Sequence, residues 1–204
     1  MGQLPPELGA RVEALLNRER RVILGITGPP GAGKTSLAEA VASSFDDAAQ
    51  LAMDGLHLAD IELERQGLRN RKGTIETFDG YGYLALLQRI RAEPSHIVYA
   101  PAFDREIAQP VAGSVPVFAE TRLVVTEGNY LLDDDEPWPA ARELLSDVWF
   151  IDVPRHERRR RLIERHIRFG KSPKQSEAWV HNIDECNAER IERVRHKADL
   201  VVTG

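Results

Sequence analysis

The stretch Leu24–Ala40, LGITGPPGAGKTSLAEA, decides the fold. A short apolar run enters it, a glycine-rich turn interrupts, and a helix-like pattern leaves. Gly28-Pro29-Pro30-Gly31-Ala32-Gly33-Lys34-Thr35 matches G-x-x-x-x-G-K-[ST] after an expected strand over 21–27 and before an expected helix. Glycines let consecutive backbone N–H groups turn inward as an anion nest, and the helix behind adds its positive end. The loop therefore reads as a cradle for phosphate, running from Gly28 through Thr35 to Ser36. Lys34 can reach the β- and γ-phosphates of a nucleotide, and the Thr35 hydroxyl can take a place on Mg²⁺.

Working outward, further apolar runs recur at 51–54, 96–101, 122–128, 148–154 and 199–203, most of them separated by helix-like patterns. Runs of Val, Ile and Leu without polar alternation suit strands buried on both faces of a parallel sheet. Strands alternating with helices predict an α/β layer fold with right-handed crossovers. The expected organisation is one domain over 1–204, preceded within it by a short amphipathic helix in an N-terminal extension, 1–20. The acidic run 131–138, LLDDDEPW, reads as a solvated turn rather than a metal site.

Composition narrows the function classes. A formal net charge of -5 gives no global pull toward nucleic acid or anionic lipid. The single cysteine, Cys186, excludes an intramolecular disulfide and a cysteine-built zinc site. No apolar stretch resembles a signal peptide or membrane span, so a cytoplasmic protein without membrane partners is the expectation.

The remaining chemistry-bearing residues sit at run ends. Glu127, where LVVTEGNY stops being apolar, would face the phosphate site on a parallel strand and serve as the acidic partner of Mg²⁺. Asp54 ends the run in LAMDGLHLAD, with His57 just beyond. An aspartate there can accept the proton of an acceptor hydroxyl, or it can cap a turn with no chemistry. No N-K-x-D element for reading guanine is present. The connector 69–83 and the segment 99–110 both read as cleft linings. In the second, Arg105 can hold an anionic or hydroxyl-rich acceptor, or Asp104 and Arg105 can satisfy each other.

PRHERRRRLIERHIRFGKS, over 154–172, reads either as a helix with a solvated basic face or, in the favoured reading, as a lid that brings arginine to the transferring phosphoryl group. Arg161 and Arg165, one turn apart, share a face. The aromatics that interleave basic residues in nucleic-acid binders are missing, which disfavours that partner. The segment 172–197 reads as a helix that packs within the domain or against a second copy, so a homodimer stays open.

These blocks, together with RKGTIETFD, YAPAFDRE, EGNYLL and DVWFIDVP, resemble the phosphoribulokinase/uridine kinase family, which includes type I pantothenate kinase. MDG-H and EGNYLL are most similar to its bacterial subgroup labelled fructose-transport-system or fructose kinases. The resemblance implies a P-loop kinase fold, ATP and Mg²⁺, and a small-molecule hydroxyl acceptor, a sugar first and a nucleoside or pantothenate-like alcohol next. It implies Lys34 and Thr35 on phosphate and metal, Asp54 as base, Glu127 at the metal, and Arg161 and Arg165 in the lid. His57, Asp104 and Arg105 would face the acceptor. Uridine kinases carry Arg-Asp where this chain has Arg165-His166, a departure that weighs against a nucleoside. The competing class is a nucleotide-responsive regulatory module or accessory ATPase.

Overall fold

The computed structural model describes residues 4–92 and 95–203. Strands β1 (Val22–Thr27), β2 (Ala48–Ala52), β5 (Leu123–Glu127), β6 (Asp147–Asp152) and β7 (Leu200–Thr203) form a sheet in the order β2-β5-β1-β6-β7. Every pairing in it is parallel. This is the α/β arrangement expected for a P-loop kinase, because parallel neighbours need crossovers that place helices on the faces.

Two cores follow from the alternation of side chains along each strand. Val22, Leu24 and Ile26 of β1 turn to one face with Trp149 and Ile151, where α1 (Pro6–Leu16) and α2 (Lys34–Ala42) cover them. Ile23, Val124, Val148 and Phe150 turn to the other face. There α4 (Gly80–Arg91) supplies Tyr83, Leu86, Leu87 and Ile90, α5 (Trp138–Arg142) supplies Trp138, and α8 (Glu185–Arg193) supplies Ile191. The N-terminal helix is thus more than an extension. Leu8 and Val12 are core residues, and Arg11 donates to both oxygens of Asp147 at 2.6 and 2.9 Å.

The run over 96–101 departs from expectation. It does not enter the parallel sheet but forms β3 (Val98–Asp104), paired antiparallel with β4 (Gln109–Val117) in a separate ribbon. Pro101, Pro110 and Pro116 explain this, since proline cannot donate to a ladder flanked on both sides and a two-stranded ribbon has only edges. The ribbon lies against a 3₁₀ turn, Met53–Leu56, that follows β2. A Cβ at Gly55 would stand 2.4 Å from the Pro101 carbonyl oxygen, so only glycine permits this approach. A short helix, α3 (Asp60–Gln66), leads on to the 69–83 connector.

The helix α6 (Arg155–Arg168) is followed by α7 (Pro173–Trp179), a π turn over Val180–Asp184, and α8. Ser172 starts α7 with a capping box: its Oγ accepts from the Gln175 N–H at 3.3 Å, and its own N–H donates to Gln175 Oε1. The α7–α8 segment packs within its own domain through Val180, Ile191 and Val194. No helix among the described residues is long and apolar enough to cross a membrane.

The acidic run at 131–138 is not a solvated turn. Asp133 is buried and accepts two bonds from Arg190 on α8 at 2.6 and 2.7 Å, while Asp135 pairs with Arg190 and Asp134 with Lys197. It latches the loop after β5 to the C-terminal helix. Burial opposes ionisation of Asp133, but the Arg190 guanidinium and loop N–H groups overcome it and hold the carboxyl below its ordinary value. Its contribution to stability is therefore present above a pH near 4 and lost as the group protonates below that. Arg190→Ala should cost about 2 kcal/mol in chemical denaturation at neutral pH, because Asp133 is left buried and unpaired. The difference from the parent chain should shrink as pH falls below about 4.

Candidate active site

The register of the sheet builds the site. Glu127 ends β5 level with Ile26 on β1 and with Ala52 on β2. The phosphate loop leaves two residues beyond Ile26, and Asp54 follows two residues beyond Ala52. Loop, Glu127 and Asp54 thereby meet at the carboxyl ends of neighbouring parallel strands, where open α/β sheets bind ligands.

The meeting is a cleft of about 630 Å³. Pro30, Gly31, Gly33, Lys34, Thr35 and Ser36 line one wall, while Ala32 turns into the core. Gly31 has φ +79, and a Cβ there would stand 2.8 Å from the Arg158 carbonyl oxygen, so the loop packs directly on the backbone of α6. Lys34 Nζ donates to the carbonyls of Gly28 and Pro29 at 2.8 and 3.2 Å. Burial pushes its pKa down to about 8, against the pull of Glu127 and Asp54. Thr35 Oγ1 donates to Glu127 Oε1 at 2.9 Å. Burial, then the neighbouring Asp54 charge, pushes the Glu127 carboxyl up.

Thr35 and Glu127 form an oxygen-only donor pair of the kind Mg²⁺ takes, leaving its other positions to phosphate and water. No cluster of three metal-binding His, Cys, Asp or Glu side chains occurs among the described residues, consistent with so sparse a protein set.

Asp54 lines the opposite wall with His57. The His57 Nδ1 lies 2.9 Å from the Asp54 carbonyl oxygen, which can only accept, so Nδ1 carries the proton and Nε2 is left as an acceptor. Burial keeps the imidazole below its ordinary pKa, and its ring lies 3.9 Å from Phe78 and 5.1 Å from Phe103, centroid to centroid. Arg105 reaches the cleft from the ribbon tip. Asp104 does not line it. Its Oδ1 accepts from the backbone of Glu106 and Ile107 at 2.8 and 3.2 Å and shapes the ribbon turn, neither facing an acceptor nor pairing with Arg105.

The arginines of α6 divide by helical face. Arg158 is buried and bonds Glu192 at 3.0 Å, whereas Arg160 faces solvent between Glu157 and Glu164. Arg161 and Arg165 line the cleft, and Arg161 Nη1 hangs 4.0 Å from a Cβ position built on Gly33. Sequence reasoning missed His166, Trp179, Asp184 and Asn187, which close the far end. His166 Nε2 lies 2.8 Å from Asp184 Oδ2, and Asn187 Nδ2 donates to the Gly73 carbonyl at 3.1 Å. Trp179, Asp184 and Asn187 lie at or beside the π turn, which has no reliable sequence mark, and His166 lies on α6. Lys72 and Arg69 lay inside the stretch recognised as a lining, and their charge was the available signal.

A phosphate loop at the carboxyl ends of an all-parallel sheet, with a hydroxyl–carboxylate pair and arginines lining the same cleft, is the arrangement of a P-loop nucleotide-binding fold. No family model matches the chain. A Schizosaccharomyces pombe protein provisionally named uridine kinase is 31% identical over 208 residues, covering 96% of this chain and 88% of that protein. An ATP-dependent kinase-like protein of Aspergillus versicolor is 36% identical over 162 residues, covering 74% and 94%. The crystal structure of a provisionally named fructose transport system kinase from Silicibacter sp. TM1040 superposes with a TM-score of 0.84 at 32% identity, covering 96% and 98%. The chain belongs to the uridine kinase-like family of P-loop kinases.

The depressed Lys34 pKa carries a pH signature. Polyphosphate binding favours the charged amine, so nucleoside triphosphate affinity should fall as pH rises through about 8, with proton uptake on binding. Calorimetry from pH 7 to 9 in buffers of different ionisation enthalpy reads both. Lys34→Ala should lower affinity at pH 7 and abolish the slope.

Proposed function

We propose that the protein is an ATP-dependent kinase that moves the γ-phosphoryl group to a hydroxyl of a small metabolite, with Asp54 as the base. The observation that carries this reading is that Asp54 lines the same cleft as Lys34, Thr35 and Glu127. A regulatory nucleotide module has no need of a carboxylate on the wall that faces the terminal phosphate.

The loop amides and Lys34 would bind the phosphates. Thr35 and Glu127 would hold Mg²⁺, which when bound neutralises charge on the phosphate oxygens. Asp54 would orient the acceptor hydroxyl and take its proton, and the bare Nε2 of His57 would receive a second hydroxyl. Arg161 and Arg165, brought down from α6, would meet the charge that develops on the equatorial oxygens and exclude water from the transfer. The likeness to a protein named for fructose transport supports a sugar-like, hydroxyl-rich acceptor. The likeness to a protein named uridine kinase supports a nucleoside as the second reading.

Asp54→Asn should keep ATP affinity within about twofold while turnover falls by about 10²-fold or more, the scale of a general base. ADP release and calorimetry on the same preparation separate the two effects. Undiminished turnover would make Asp54 a turn residue only.

A further inference from the structure

We propose that the acceptor carries an anionic group, a carboxylate or a phosphate, beside the hydroxyl that is phosphorylated, and that Arg105, Lys72 and Arg69 receive it. This rests on the kinase reading above and narrows it.

The three acids that line the cleft all have other work. Asp54 is the proposed base, Glu127 bonds Thr35, and Asp184 bonds His166. No further carboxylate lines the cleft among the described residues to bracket vicinal hydroxyls. The cations are in surplus. Lys34, Arg161 and Arg165 stand with the phosphate loop and α6. Arg69, Lys72 and Arg105 come from the separate wall made by the 69–83 connector and the β3–β4 ribbon.

That second group is built rather than incidental. Lys72 is only 13% exposed, and its Nζ bonds Asp60 Oδ1 and the Ala108 carbonyl oxygen, both at 2.6 Å. It stands 5.2 Å from the centroid of the Phe103 ring. Arg69 takes the other oxygen of Asp60, also at 2.6 Å, so one carboxylate serves two cations and leaves a net positive charge. Asp60 is itself placed by its backbone N–H, which donates to Gln109 Oε1 on β4 at 3.0 Å. Arg105 has no ion-pair partner among the described residues, though its charge is felt at Glu127, and it adds a second cation to this wall. An anion here gains charge-assisted hydrogen bonds in a partly desolvated cleft, whereas a neutral hydroxyl leaves those charges without a counterion.

The test compares matched pairs that share a hydroxylated skeleton and differ in charge: gluconate with glucitol, pantothenate with panthenol, and fructose 6-phosphate with fructose. Phosphorylation with Mg-ATP is read by mass, and binding by calorimetry in the presence of a non-hydrolysable ATP analogue. The expected result is an anionic member preferred by at least tenfold, and whether it belongs to the carboxylate or phosphate arm names the group. Arg105→Ala, at an exposed ribbon tip, should raise acceptor KM about tenfold with KM for ATP within twofold, and Arg105→Lys should recover part of the loss. A neutral member phosphorylated in preference overturns the anionic acceptor and leaves the kinase reading standing. Binding of anionic members without phosphorylation, weakened by Arg105→Ala, keeps the anion site and overturns the kinase reading. If no anionic member is bound or phosphorylated, the inference is overturned outright.

Discussion

Glu127 is the in-register neighbour of Ile26 on one side and Ala52 on the other, and the rest of the molecule hangs on that levelling of three strand ends. It sets Thr35, at the start of α2, 2.9 Å from a carboxylate that is 92 positions away in the chain. Glu127 is buried there and Lys34 half-buried, which is costly for ionisable groups unless opposite charge or a polar ligand compensates. The opposed displacements of their proton affinities, the amine down and the carboxyl up, share the first cause of burial. A site that binds a polyanion with a hard cation relieves both.

Around that centre, two kinds of material do different jobs. The loop and strand ends are locked by parallel pairing and by two hydrophobic layers, so their geometry is rigid. The proposed acceptor wall is assembled from the Met53–Leu56 turn, the 69–83 connector and the antiparallel ribbon, joined by Gly55, Lys72 and Asp60. Rings of His57, Phe78 and Phe103 fill the seam between them. Such a division lets a constant phosphate-transfer centre be paired with a variable acceptor wall, a common pattern where function sits on loops carried by a rigid scaffold.

Much of the phosphate side was legible beforehand because its signals are local. A strand, a glycine-rich nest and a helix in succession constrain one another within seventeen residues, and the acidic tip of a neighbouring apolar run follows from parallel topology. The arginine run was legible as charge, and helical periodicity separated Arg161 and Arg165 from Arg160. Two of the misreadings concern long-range partners and one a local turn. The apolar run at 96–101 looked like a sheet strand, but with Pro101 in it and Pro110 and Pro116 on its partner it forms a separate two-stranded ribbon. Asp133 looked solvated until Arg190 arrived from 57 residues away. Asp104 looked like a cleft residue, but its carboxylate accepts from the backbone two and three residues on and closes the ribbon turn, a local use that competed with the cleft reading.

From the sequence by itself came the fold class, the phosphate loop with Lys34 and Thr35, Glu127 and Asp54 at strand ends, and the charge of the lid helix. These depend on short-range periodicity and on motifs whose chemistry requires contiguous residues. Tertiary structure alone decided which cations line the acceptor wall, which acids are already taken, and that the acidic loop is a latch. Those properties belong to pairs distant in the chain, brought within hydrogen-bond distance by packing that no window of sequence contains.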